Sequence, residues 1–167
     1  TSTNQLIRGG NITVIPRGVT SIYNHAFSGA NIIKEIIIPD SVQNIGIGAF
    51  ENCTSLRDIS IPESIINIGA GSFQGCVSLN EIVIPNSVTD IFAKTFADCE
   101  NLVRIRLPKE LTYIGQLAFY GCSSLDSIDI RNTVSKIGEG AFENCSSLKS
   151  LIIPEGVNCI KEKTFKG

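Results

Sequence analysis

The sequence predicts a repeat solenoid, a stack of short coils with a parallel β-sheet and little helix. Three columns of residues predict it. Proline recurs every 23 residues, at Pro16, Pro39, Pro62, Pro85, Pro108 and Pro154, with Arg131 in the one vacant slot. Phenylalanine keeps the same step at Phe27, Phe50, Phe73, Phe96, Phe119, Phe142 and Phe165. Isoleucine does so at Ile22, Ile45, Ile68, Ile91, Ile114, Ile137 and Ile160. A fixed period of this length marks units too small to bury an apolar face alone, so each must be covered by its neighbours. About seven such units fill residues 11–167. Residues 1–10 are left as an N-terminal extension or partial cap, with Leu6 and Ile7 as their only cap material.

One unit, from Leu56 to Leu79, justifies each element. Leu56-x-x-Ile59-x-Ile61 alternates as a strand does, with Ile59 and Ile61 on one face. Pro62 lacks an N–H and ends the pairing. Ser64-Ile65-x-x-Ile68-Gly69 reads as a second short extended piece closed by a glycine turn. Residues 70–76 are small and turn-like, with room for one helical or 3₁₀ turn at most. Identical coils stacked at the inter-strand spacing of about 4.8 Å give a rod of roughly 30–35 Å, Phe on Phe and Cys on Cys. Every coil winds the same way, so the sheet must be parallel.

The stretches "SLRDISIPESIINIGAGSFQGC" and "SLDSIDIRNTVSKIGEGAFENC" closely resemble the BspA-type leucine-rich repeats. The resemblance runs from about residue 11 to the end of the chain. It implies a right-handed, curved leucine-rich-repeat coil stack with its parallel sheet on the concave side. It also implies a role in surface adhesion and protein–protein contact, at the cell surface or secreted.

Bulk properties exclude several functions. The formal charge is −2, with 14 Lys and Arg against 16 Asp and Glu, and no basic block offers the phosphate-neutralising footprint of a nucleic-acid binder. No apolar run approaches the roughly 18 residues of a membrane span; Lys34 and Glu35 break the longest candidate, Ile32–Pro39. The chain opens at Thr1 with no signal-like stretch, as an excised or processed product would.

Cys53, Cys76, Cys99, Cys122 and Cys145 share one repeat position. A spacing of 23 offers none of the close pairs a metal site needs. Stacked Cβ vectors are parallel and too far apart for a disulfide. The expectation is a column of small buried thiols, with Cys159 apart from it near the surface. The pairs Gly46-x-Gly48, Gly69-x-Gly71 and Gly138-x-Gly140 imitate a phosphate loop but recur at one turn, with no strand–helix unit after them. His25, the single histidine, falls at a variable turn opposite Ile47–Gly48 and has no catalytic motif around it. Asn11-Ile-Thr13, Asn52-Cys-Thr54 and Asn144-Cys-Ser146 are glycosylation sequons by pattern. No cofactor, metal or catalytic residue is expected.

Repeat proteins bind through exposed positions that vary from coil to coil. One such column reads Glu35, Asp58, Glu81, Arg104, Ser127, Ser150; the next reads Ile37, Ser60, Val83, Arg106, Asp129, Ile152. A third, before the strand, contains Asp126. The candidate partner surface is therefore Asp58, Glu81, Val83, Arg104, Arg106, Asp126, Asp129 and Ile152. Lateral neighbours can pair, Arg104 with Glu81 and Arg106 with Asp129. The expected function is a non-catalytic recognition or adhesion module with a protein ligand, part of a larger surface or secreted protein. The alternative is a structural spacer. Uncapped ends add the option of end-to-end self-association.

Overall fold

Pro and Gly punctuate the chain so often that no element exceeds three residues among the described residues. The computed structural model describes residues 12–167; the expected N-terminal cap and the first sequon's Asn11 lie outside them. Each of the first five coils carries an extended tripeptide: β1 (Ile12–Val14), β3 (Glu35–Ile37), β5 (Asp58–Ser60), β7 (Glu81–Val83) and β9 (Arg104–Arg106). Alternating with them are two-residue strands: β2 (Ser21–Ile22), β4 (Asn44–Ile45), β6 (Asn67–Ile68), β8 (Asp90–Ile91), β10 (Tyr113–Ile114) and β11 (Lys136–Ile137). All pairings are parallel and connect equivalent positions one repeat apart, such as Ile36↔Ile59 and Ile82↔Ile105 on one side and Ile45↔Ile68 on another. The chain is thus a solenoid of stacked coils. No helix occurs among the described residues; the small segment after each glycine forms single turns, such as Cys76 N–H to Phe73 O at 3.2 Å.

The core is a set of columns inside the coil. Seven phenylalanines form one continuous offset stack, with centroids 5.3–5.8 Å apart and planes within 14° of parallel. Phe50, Phe73, Phe96 and Phe119 are fully buried, as are Ile45, Ile68, Ile91 and Ile114. The last coil is covered on one side only, so Ile160 and Phe165 are exposed although they occupy the same columns.

The five column cysteines are buried and unpaired, and Cys159 is exposed, as their positions in the repeat predict. Each buried thiol also donates to the carbonyl of a phenylalanine one coil back: Cys53 to Phe27, Cys76 to Phe50, Cys99 to Phe73, Cys122 to Phe96 and Cys145 to Phe119, at 3.0–3.2 Å. A similar inter-coil bond runs from Ser41 Oγ to Val19 O and from Ser64 Oγ to Val42 O, both at 2.7 Å. These side chains satisfy carbonyls that a coil this tight leaves without a full set of backbone partners.

Candidate interaction surface

Alternation along β3, β5, β7 and β9 sends the central isoleucine inward and its two flanking residues outward; β1 has Thr13 in that place. Ile36 and Ile82 are almost fully buried, while Asp58, Ser60, Glu81, Val83, Arg104 and Arg106 are exposed. The register sets Glu35 beside Asp58, Glu81 beside Arg104, and Val83 beside Arg106. Five of the eight sequence-predicted residues therefore lie on one strand face: Asp58, Glu81, Val83, Arg104 and Arg106.

Asp126, Asp129 and Ile152 do not lie on assigned strands, because the ladder stops at β9. Asp126 is half-buried and accepts a hydrogen bond from Ser127 Oγ at 2.8 Å. Ile152 is 83% exposed.

The two predicted ion pairs have different outcomes. Arg104 Nη1 meets Glu81 Oε1 at 3.2 Å, a lateral pair across β7 and β9. Asp129 does not pair with Arg106. Its Oδ2 lies 3.9 Å from Arg131 Nη2, the residue that fills the vacant proline slot. Without a ladder between β9 and residues 127–129, no lateral register brings Asp129 to Arg106. Arg131, two residues along the same extended segment, projects to the same side.

Among the described residues, Glu35, Asp58 and Arg106 have no ion-pair partner. The charge of the face therefore changes along the stack, acidic at β3 and β5 and basic at β9, with Val14, Ile37 and Val83 exposed beside the charges. A shallow depression of about 220 Å³ lies on its acidic part, lined by Glu35, Ile37, Asp58, Ile59, Ser60 and Glu81 among others.

A second depression of about 240 Å³ lies on the turn side, between His25 and Lys94. His25 Nδ1 is 3.3 Å from Glu51 Oε2, and its backbone N–H donates to Ile47 O, opposite the neighbouring coil as its place in the repeat predicts. No serine, threonine or cysteine lines this depression. No group of three metal-ligating side chains occurs among the described residues, and no helix there is long and apolar enough to cross a membrane.

The thiols are the titratable groups most altered by the fold. Burial pushes Cys53 up to about 11 and Cys145 to about 12, and raises Cys76, Cys99 and Cys122 well above the ordinary thiol value. Such thiols stay protonated and are poor nucleophiles.

Comparison with known proteins agrees with this geometry. The chain matches the BspA type leucine rich repeat region in six copies, over residues 10–97 and 66–167. The crystal structure of a leucine rich repeat protein from T. pallidum is similar at 28% identity and a TM-score of 0.74, covering 83% of this chain and 78% of that one. A leucine rich cell surface protein from Faecalibacterium prausnitzii is 34% identical with a TM-score of 0.69, over 86% of this chain. A leucine-rich repeat protein from Bacteroides ovatus is 26% identical with a TM-score of 0.74, over 94% of this chain. The chain spans 37% and 46% of the length of these last two. None of the curated proteins matches it. Its 23-residue period, its parallel coil stack and these matches place it together: the chain belongs to the BspA-type leucine-rich repeat family.

Proposed function

We propose that this chain is a non-catalytic protein-recognition or adhesion module, part of a larger surface or secreted protein. One observation carries the reading. The inward positions of the strand ladder repeat isoleucine at Ile36, Ile59, Ile82 and Ile105, whereas the outward positions beside them change from Glu35 and Asp58 to Arg104. A spacer has no need of such variation, while a recognition surface does. The similar cell surface protein of Faecalibacterium prausnitzii supports the surface part of the proposal.

Contact centres on Arg104 and Arg106, with Asp129 at its margin and Asp58, Glu81 and Val83 beside it on the strand face. Arg106, exposed and without an ion-pair partner among the described residues, is the anchor of this site. Asp126 and Ile152 extend the surface toward the last coil. End-to-end contact through the apolar side chains exposed there, Ile160 and Phe165, is a separate route to self-association.

The test compares wild type with the double variant Arg104→Ser/Arg106→Ser as immobilised baits for isolated surface proteins, followed by affinity measurement on whatever binds. Binding should weaken at least about tenfold, or about 1.4 kcal/mol. Thermal stability should move little, because exposed ion pairs contribute about 0–1 kcal/mol. A partner that binds the double variant unchanged overturns the placement of the site. Absence of any specific partner favours the spacer.

A further inference from the structure

Both strand ladders stop at one junction. β5 and β7 lie side by side without ladder pairing, and so do β6 and β8, although each pair is separated by the same repeat as its paired neighbours. The residue that sets this junction apart is Phe92. The coils before and after carry glycine in its place, at Gly46, Gly69, Gly115 and Gly138. Each of these four amides donates to the preceding coil, to Ile22, Ile45, Ile91 and Ile114 carbonyls at 2.7–2.8 Å. The approach is so close that a Cβ on any of the four would fall within 2.6 Å of the preceding coil's backbone. Phe92 has a Cβ, and no bond joins its amide to Ile68 O. Lys161 stands in the same column three coils later, and its bond to Ile137 O is missing as well.

The turn side of the Phe92 junction is intact. Gly71 N–H donates to Ala93 O at 2.9 Å, Phe73 N–H to Thr95 O at 3.0 Å and Gly75 N–H to Ala97 O at 2.8 Å. The Phe73 and Phe96 rings stack at 5.5 Å and are parallel to 1°. We propose that Phe92 is a wedge that makes this junction a hinge: the coils before and after it form two blocks, joined by backbone bonds along the turn side, while the strand side is held only by side-chain bonds, from Ser87 Oγ to Glu63 O and Ile65 O and from the Asn86 N–H to Glu63 Oε2, which yield when it opens. The hinge lies between Asp58 and Glu81, so its opening alters the spacing of the acidic and basic parts of the strand face. The inference rests on ladder geometry and stands apart from the partner-binding proposal.

Val14, Ser60 and Arg106 occupy one exposed column at two-coil steps, a span of about 10 Å each. Nitroxides are attached to Val14→Cys/Ser60→Cys, within a block, or to Ser60→Cys/Arg106→Cys, across the hinge. Both pairs are made in a Cys159→Ser background, in which every remaining native thiol is buried. Dipolar line shapes should give a broader distance distribution across the hinge than within the block. Phe92→Gly should narrow it to the within-block width and slow hydrogen exchange of the amide at position 92 at least about tenfold, by closing the ladder. Equal widths in the wild type overturn the hinge, whether or not the variant folds. A folded Phe92→Gly variant with unchanged width overturns the role of Phe92.

Discussion

Asp98 sits over Gly121, its Oδ1 2.8 Å from the point a Cβ on that glycine would occupy. The same relationship joins Asn52 to Gly75 and Asn144 to Gly167, so the column alternates Gly29, Asn52, Gly75, Asp98, Gly121, Asn144, Gly167. All seven residues have positive φ. Asn, Asp and Gly are the residues that tolerate that conformation. The alternation adds a steric reason, since a side chain on one coil fills the space that the next coil leaves by having none.

This relationship predicts a pH dependence at Asp98. Partial burial, with Glu100 nearby, raises its carboxyl above the ordinary range, against a lowering by Lys94. A raised folded-state value means that the folded protein binds the proton more tightly than the unfolded chain does. Stability from this group is complete below the unfolded value and is lost as pH rises through the folded one. Asp98→Asn, which installs the residue found at Asn52 and Asn144, should raise the melting temperature at pH 7. The gain should shrink as the pH falls toward 3. A gain independent of pH would assign the effect to something other than charge.

The thiol ladder predicts a second pH dependence, at the alkaline end. The five buried thiols titrate above their ordinary value because burial disfavours the thiolate. Their contribution is complete below the unfolded value, about 8.5, and is lost as pH rises toward the folded values of about 11 and above. Each costs about 1.4 kcal/mol per pH unit in that window. Denaturant midpoints should fall steeply above pH 9, and Cys99→Ala should make the fall shallower. Thiol titration at pH 8 should find one fast group, Cys159, in the native protein and six after denaturation. Several fast thiols in the native state would contradict the ladder.

One-dimensional stacking predicts unequal costs for equal truncations. Phe96 is fully buried between two rings, whereas Phe165 is 40% exposed with a single ring neighbour. Phe96→Ala should cost about 3–5 kcal/mol. Phe165→Ala should cost less than half of that, in urea melts of the same protein. Equal losses would mean that the coils are not stabilised chiefly by their neighbours.

Backbone strain can be removed at one turn position. Lys94 has φ 56°, where the equivalent residues two coils nearer the N-terminus and two coils nearer the C-terminus are Gly48 and Gly140. A left-handed residue with a Cβ costs roughly 1–2 kcal/mol. Part of the relief is offset by the greater freedom of glycine in the unfolded chain. Lys94→Gly should therefore stabilise the protein by up to about 1 kcal/mol, checked by chemical denaturation. A loss of stability would show that the lysine side chain makes a contact worth more than the strain.

Positions that repeat were legible in the sequence, because stacking converts a spacing of 23 into direct contact. That logic anticipated the stacked phenylalanines, the unpaired cysteines, the exposure of Cys159 and the Arg104–Glu81 pair. It failed where a coil departs from its neighbours. The register needed for an Arg106–Asp129 pair ends with β9, and Arg131 two residues away takes the carboxylate instead. The breaks at Phe92 and Lys161 were also missed, although the sequence held the signal: after Tyr23 in the first coil, they are the two non-glycine residues in a glycine column. Reading it required knowing how closely that column approaches the preceding coil. The thiol-to-carbonyl bonds span 26 residues rather than 23 and emerge only from the path of the turn.

Those thiol bonds bear on how such a chain lengthens. Each coil offers the next a phenylalanine carbonyl and ring, and accepts a cysteine and ring in return. A duplicated block of 23 residues meets the same donors and acceptors at both of its joins. A single-residue deletion shifts every column C-terminal to it against the coil before. Such chains therefore tolerate change in whole turns, and the number of turns varies more freely than the length of any one.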